Sequence, residues 1–140
     1  MAELVYAPIV TIAPLVFAGL GLDLDVRGAE NIPRTGGAVI ASNHVSYLDF
    51  IFVGLGAHPA KRYVRFMAKD SVWKHPVGGP LMRGMKHIPV NREAGAESFK
   101  VALEAARSGE VVGVFPEATI SRSFELKDFK SGAPRMAMDA

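Results

Sequence analysis

The stretch Gly37-Ala38-Val39-Ile40-Ala41-Ser42-Asn43-His44-Val45-Ser46-Tyr47-Leu48-Asp49 sets the reading of the chain. An apolar run ends, polar residues follow at once, and a carboxylate stands five positions after a histidine. Gly37 to Ala41 reads as a buried strand. On one continuous helix, His44 and Asp49 would point about 140° apart at 3.6 residues per turn. If His44 lies in a loop and a helix begins at Ser46, Asp49 falls in its first turn and can turn back toward the imidazole. The spacing therefore suits a strand–loop–helix corner. Two roles stay open for the pair. Asp49 can fix the tautomer of a general base at His44. Ser46-x-x-Asp49 can equally be a capping box, with His44 structural.

Two further apolar runs end in the same way. Ile88-Pro89-Val90 gives way to Asn91-Arg92, and Val111 to Phe115 gives way to Pro116-Glu117-Ala118-Thr119. Ligands in α/β folds bind outside the carboxyl ends of the strands. Parallel strands would therefore gather His44, Arg92 and Glu117 on one rim. Val64 to Ala68 is another candidate strand, and Asp23 to Arg27 alternates like a short one. Ser46 to Leu55 reads as a helix stopped near Gly54 and Gly56. Ala96 to Arg107 carries a helical stripe with Gly109 as its stop. Trp73 to Pro80 reads as a loop. Helices between short apolar strands predict an α/β fold with a mixed, partly parallel sheet flanked by helices.

The chain has 140 residues, enough for one domain with a real core. A formal net charge of +2 excludes a nucleic-acid-binding polycation, so no nucleic-acid partner is expected. The absence of cysteine removes disulfides, thiolate metal sites and a cysteine nucleophile. His58, His75 and His87 show no metal-ligand spacing with His44, so no metal is expected. Ser46 lacks the Gly-x-Ser-x-Gly setting of a serine nucleophile.

Residues 1–21 form an apolar segment that is expected to be a broken or kinked helix, because Pro8 and Pro14 interrupt it. It either packs on the domain or lies in a membrane interface, and it is too interrupted for a straight span. Lys61, Arg62 and Arg65 are candidates to meet anionic lipid beside it. Residues 22–140 form the second unit. The last residues, Ser131 to Ala140, begin a helix without a C-cap, which suggests a domain incomplete at its C-terminus.

Asn43-His44-x-x-x-x-Asp49 followed by Phe115-Pro116-Glu117-x-Thr119 resembles the glycerophospholipid acyltransferases, whose blocks read NHxxxxD and FPEGT. The resemblance runs from about Gly36 to Met136, and Lys69 and Pro76-x-x-Gly79 fall where the family carries an Ala-Lys and a Pro-x-x-Gly. It implies O-acyl transfer to a lysophospholipid, most directly 1-acylglycerol 3-phosphate, in phospholipid biosynthesis. His44 then matches the catalytic base and Asp49 its partner. Arg92 matches the residue that holds the acceptor's phosphate. Glu117 and Thr119 match the acceptor-binding block, Lys69 the Ala-Lys, and Arg122 the last arginine of a longer form. No cofactor is implied: the donor is a thioester substrate, acyl-CoA or acyl-carrier protein. The implied location is the cytoplasmic face of the cell membrane, peripheral or monotopic. Asn91 stands where the family has aspartate, Ala118 where it has glycine, and Ile120 where it has arginine. A noncatalytic lipid-binding module on the same fold, or transfer to glycerol 3-phosphate or another lysolipid, is the alternative. For an arbitrary arginine, a surface pair with Glu93 is the simpler role for Arg92.

Overall fold

The computed structural model describes residues 3–140. Four short strands build the sheet: β1 (Ala38–Ala41), β2 (Val64–Lys69), β3 (Ile88–Val90) and β4 (Val111–Val114). Their spatial order is β1-β4-β2-β3, and every pairing is parallel. The helices are α1 (Glu3–Gly19), α2 (Asp49–Ala57), α3 (Gly78–Gly84), α4 (Gly95–Arg107) and α5 (Gly132–Asp139).

Alternation along the strands decides which helices cover which face. Val64, Phe66 and Val111 join Phe50, Val53 and Ala57 of α2 in one cluster. Val112 and Ile88 turn the other way and pack on Ala102 and Ala106 of α4 and Met136 of α5. The sheet is therefore the middle of three layers, as parallel sheets require. Pro89 sits in β3 at one edge, where a missing ladder donor is tolerated. Gly113 lets Phe66 lie directly on β4: a Cβ there would stand 2.5 Å from two carbons of the Phe66 ring.

The apolar segment is one helix, not a broken one. α1 runs continuously through Pro8 and Pro14. Its core face explains the tolerance: Tyr6, Val10 and Phe17 are buried against Leu55 and Met85. Tyr6 also donates its hydroxyl to the Val64 carbonyl at 2.9 Å. Burial, the largest influence, pushes the Tyr6 phenol up to about 12, so it stays a donor. α1 has 17 residues, and no helix among those described is long and apolar enough to cross a membrane.

Three other expectations are corrected. Asp23 to Arg27 is not a strand, because no strand among the described residues pairs with it. Leu24 and Val26 stay exposed, and Arg27 pairs with Asp25 at 2.6 Å. α2 begins at Asp49 rather than Ser46, and it runs past Gly54 to Ala57. Gly54 marks close packing instead: a Cβ there would meet the Tyr6 hydroxyl oxygen at 3.1 Å. The Trp73–Pro80 stretch is partly helical. His75 Nδ1 accepts from the N–H groups of Val77 and Gly78 at 3.2 and 3.1 Å, which starts α3 at Gly78. An imidazole takes the part that sequence rules assign to Ser, Thr, Asp or Asn.

Of the basic residues around the start of β2, Lys61 is exposed, while Arg62 and Arg65 belong to the scaffold. Arg62 donates to the carbonyls of Pro33, Gly36 and Gly109 at 2.6–2.7 Å. Arg65 is 3% exposed and pairs with Glu110 at 3.1 Å. Neither is offered to a lipid surface, and both stand toward the amino end of β2, away from the rim that carries His44.

Candidate active site

β1 and β4 run side by side, with Ala41 paired to Val114, so the residues that follow each strand emerge together. Ser42 N–H extends the ladder to the Val114 carbonyl at 3.1 Å. His44 then leaves β1 and meets the turn after β4. Its ring stacks on Phe115, with centroids 4.1 Å apart and planes 16° from parallel. On the same side of the sheet, Phe66 stacks with Phe115 at 5.8 Å and 12°.

Asp49 bonds both the His44 ring and the backbone of the loop before α2. A single oxygen, Oδ2, faces His44 Nδ1 at 2.9 Å, Val45 N–H at 2.7 Å and Ser46 N–H at 2.9 Å. The Ser46 hydroxyl turns to Leu48 N–H instead, so only half of a capping box forms. Burial would raise the Asp49 carboxyl, but the bonds from Ser46, His44 and Val45 outweigh it and hold the group below its usual range. An ionised acceptor at Nδ1 places the imidazole proton there. Nε2 then carries the lone pair, and it has no partner among the described residues. The side chains of His44 and Asp49 are 18% and 13% exposed, so the pair is sheltered but reachable.

Glu117 is 4% exposed. Its Oε1 accepts from His44 N–H at 2.7 Å, and its Oε2 accepts from Lys127 N–H at 2.8 Å. The Lys127 bond and then the His44 bond hold its carboxyl below the usual range. Ser121 N–H donates to the His44 carbonyl at 2.7 Å. The turn after β4 thus grips both ends of the His44 residue.

The remaining residues named from sequence lie on the same rim at greater exposure. Lys69 ends β2, and Arg92 follows β3. Both are exposed, as are Thr119 and Arg122. Arg92 reaches the Ala118 carbonyl at 3.4 Å, and its other guanidinium donors are unengaged among the described residues. It makes no pair with Glu93. Asn91 accepts from Glu93 N–H at 2.9 Å, a turn that an aspartate would make equally well. Ala118 holds φ at 58°, the left-handed conformation that glycine favours, which explains glycine as the usual residue there. Thr119 Oγ1 turns to the Ile120 carbonyl at 3.3 Å.

Phe115, Ser121 and Lys127 were not singled out from sequence as parts of the site. Ser121 and Lys127 bond His44 and Glu117 through backbone N–H, which any residue but proline supplies, so no side-chain pattern announces them. The stacking of Phe115 required knowing that β1 and β4 are neighbours. His87 belongs elsewhere: its Nδ1 accepts from Phe66 N–H at 3.0 Å inside the core.

Known proteins resemble this chain in sequence and fold. Residues 23–140 match the model of the family described as Acyltransferase. A Bacillus subtilis protein named 1-acyl-sn-glycerol-3-phosphate acyltransferase is 34% identical over 113 residues, covering 80% of this chain and 55% of its own. A Borreliella burgdorferi protein of the same name is 34% identical over 123 residues, covering 84% and 47%. The crystal structure of the 1-acyl-sn-glycerophosphate (LPA) acyltransferase PlsC from Thermotoga maritima superposes with a TM-score of 0.77 at 26% identity, covering 97% of this chain and 54% of that one. The chain spans about half the length of the curated relatives it matches. Family model, relatives and fold agree: the chain belongs to the acyltransferase family.

Proposed function

We propose that the protein transfers a fatty acyl group from acyl-CoA or acyl-carrier protein to the free hydroxyl of 1-acylglycerol 3-phosphate, giving phosphatidic acid. The observation that carries this reading is the His44–Asp49 contact at 2.9 Å, which leaves Nε2 free to take a proton. A thioester is already activated for acyl transfer, whereas the alcohol needs a base. His44 Nε2 removes the hydroxyl proton as the oxygen attacks the thioester carbonyl. The tetrahedral intermediate collapses, the C–S bond breaks, and the imidazolium returns the proton to the leaving thiolate. Asp49 stabilises the imidazolium in between. Arg92 offers a planar fork for the acceptor's phosphate. Lys69, Thr119 and Arg122 share the rim and add donors beside it. The names of the relatives support this acceptor.

Both substrates carry acyl chains, so the protein acts as a peripheral or monotopic protein at the cytoplasmic face of the cell membrane. Supporting this, α1 turns a second apolar face outward, with Leu4, Ile12, Leu15 and Val16 each more than half exposed. Ile12→Glu with Leu15→Glu should lower flotation on vesicles while leaving the fold intact. Equal flotation of both forms would remove α1 from membrane contact.

The test of the reaction is thioester consumption and product mass with a panel of acceptors, for the full-length protein and its His44→Ala variant. His44→Ala should lose about 10²–10⁴-fold in turnover, the usual worth of a positioned base. It should fold, because the backbone bonds at His44 survive the change. Near-normal turnover in the folded variant would overturn the mechanism. Arg92→Ala should weaken use of phosphorylated acceptors, and Arg92→Lys should not restore it.

A further inference from the structure

We infer that Glu117 is a positioning residue for His44 rather than a contact for the acceptor, and that its carboxylate is the clamp joining the loop of the base to the turn after β4. The inference rests on the acyl-transfer reading of the site. Both carboxylate oxygens are engaged by backbone N–H groups, at 2.7 and 2.8 Å, and the residue is 4% exposed. Each oxygen keeps a second lone pair, but at 4% exposure the carboxylate presents almost no open surface to a substrate hydroxyl. The bond to His44 spans 73 positions of sequence, so it locates one strand end relative to another. Ser121 N–H completes the grip at the His44 carbonyl. Asp49 then fixes the ring at Nδ1, and Phe115 fixes its face. Nε2 is left as the one polar group of His44 without a partner among the described residues.

A general base must sit within hydrogen-bond reach of its proton, and an error of about 1 Å can cost roughly 100-fold. Glu117→Gln keeps the shape but has one acceptor oxygen and turns an amide N–H toward a backbone donor. Glu117→Asp keeps the charge but is one methylene too short to span both amides. Two readouts on the full-length protein test the clamp. The first is kinetic: both variants should lose about 10- to 100-fold in kcat, with KM for the acceptor nearly unchanged. The second is hydrogen exchange at the His44 amide, which should be slow in the wild type and faster by about tenfold or more in Glu117→Gln. A raised acceptor KM with kcat kept would make Glu117 a substrate contact and overturn the inference. So would rescue by Glu117→Asp, or an unprotected His44 amide in the wild type. An inactive wild type would overturn the acyl-transfer reading alone, and exchange would then decide the clamp. If Glu117→Gln does not fold, wild-type exchange at His44 decides it.

Discussion

The imidazole of His44 lies flat on the ring of Phe115, 16° from parallel. The contact fixes the plane of the ring. In the proposed mechanism it also puts a π face under the positive charge of the imidazolium. Such contacts are worth about 0.5–2 kcal/mol. Phe115→Leu should therefore lower kcat by roughly 3- to 30-fold with little change in acceptor KM. Steady-state kinetics on the folded variant check this, and an unchanged kcat would reduce the stack to packing.

Gly113→Ala should damage stability and turnover together. The added methyl would press on Phe66, which stacks with Phe115. Overpacking of this kind costs about 1–3 kcal/mol. Thermal unfolding and turnover should both fall. A variant that loses stability but keeps full activity would show that the stack absorbs the shift.

Acid should weaken the fold through His87. Burial first, and the nearby Arg65 charge second, lower His87 from 6.5 to about 4. The unfolded chain takes up this proton below about 6.5, and the folded chain resists until about 4. The stabilising contribution is thus complete above pH 6.5 and lost as pH falls toward 4. A depression of this size corresponds to roughly 3 kcal/mol at most. His87→Asn keeps an acceptor for Phe66 N–H but cannot titrate. Urea unfolding at several pH values should show a flatter profile for the variant across that window. An identical slope would place the acid sensitivity elsewhere.

Tyr6→Phe should loosen α1 from the sheet. It removes the hydroxyl and leaves the Val64 carbonyl with one fewer donor in the interior. The loss should be about 1–3 kcal/mol, read as a lower denaturant midpoint. A midpoint equal to wild type would mean that another donor takes its place.

The rim was legible in the sequence because each strand carried its own signal. β1, β3 and β4 end in polar residues, and the motif spacing at His44 and Asp49 demanded a corner. The full parallelism followed less directly. The chain pairs β1 with β4 across a long separation, and no local pattern encodes a neighbour. The 23–27 stretch misled because alternation reports two faces, not a partner strand. α1 overrode two prolines because burial of Tyr6, Val10 and Phe17 outweighs the local penalty. At Glu117 the motif gave the residue but not its direction. Only the geometry shows it spent on the backbone.

The placement of β1 has a consequence for synthesis. Its sheet neighbour is β4, and the register joins Ala38 to Val111. Until the ribosome has delivered residue 111 and beyond, β1 has no ladder to join, and His44 has neither its stacking ring nor its carboxylate clamp. Contacts of such long sequence separation form late, because the loop must close before they reward it. Nascent and half-folded forms therefore hold the histidine and the aspartate without the ring and the carboxylate that position them. Until β4 forms, β1 is unpaired on both sides, an open edge that a chaperone or another chain can capture.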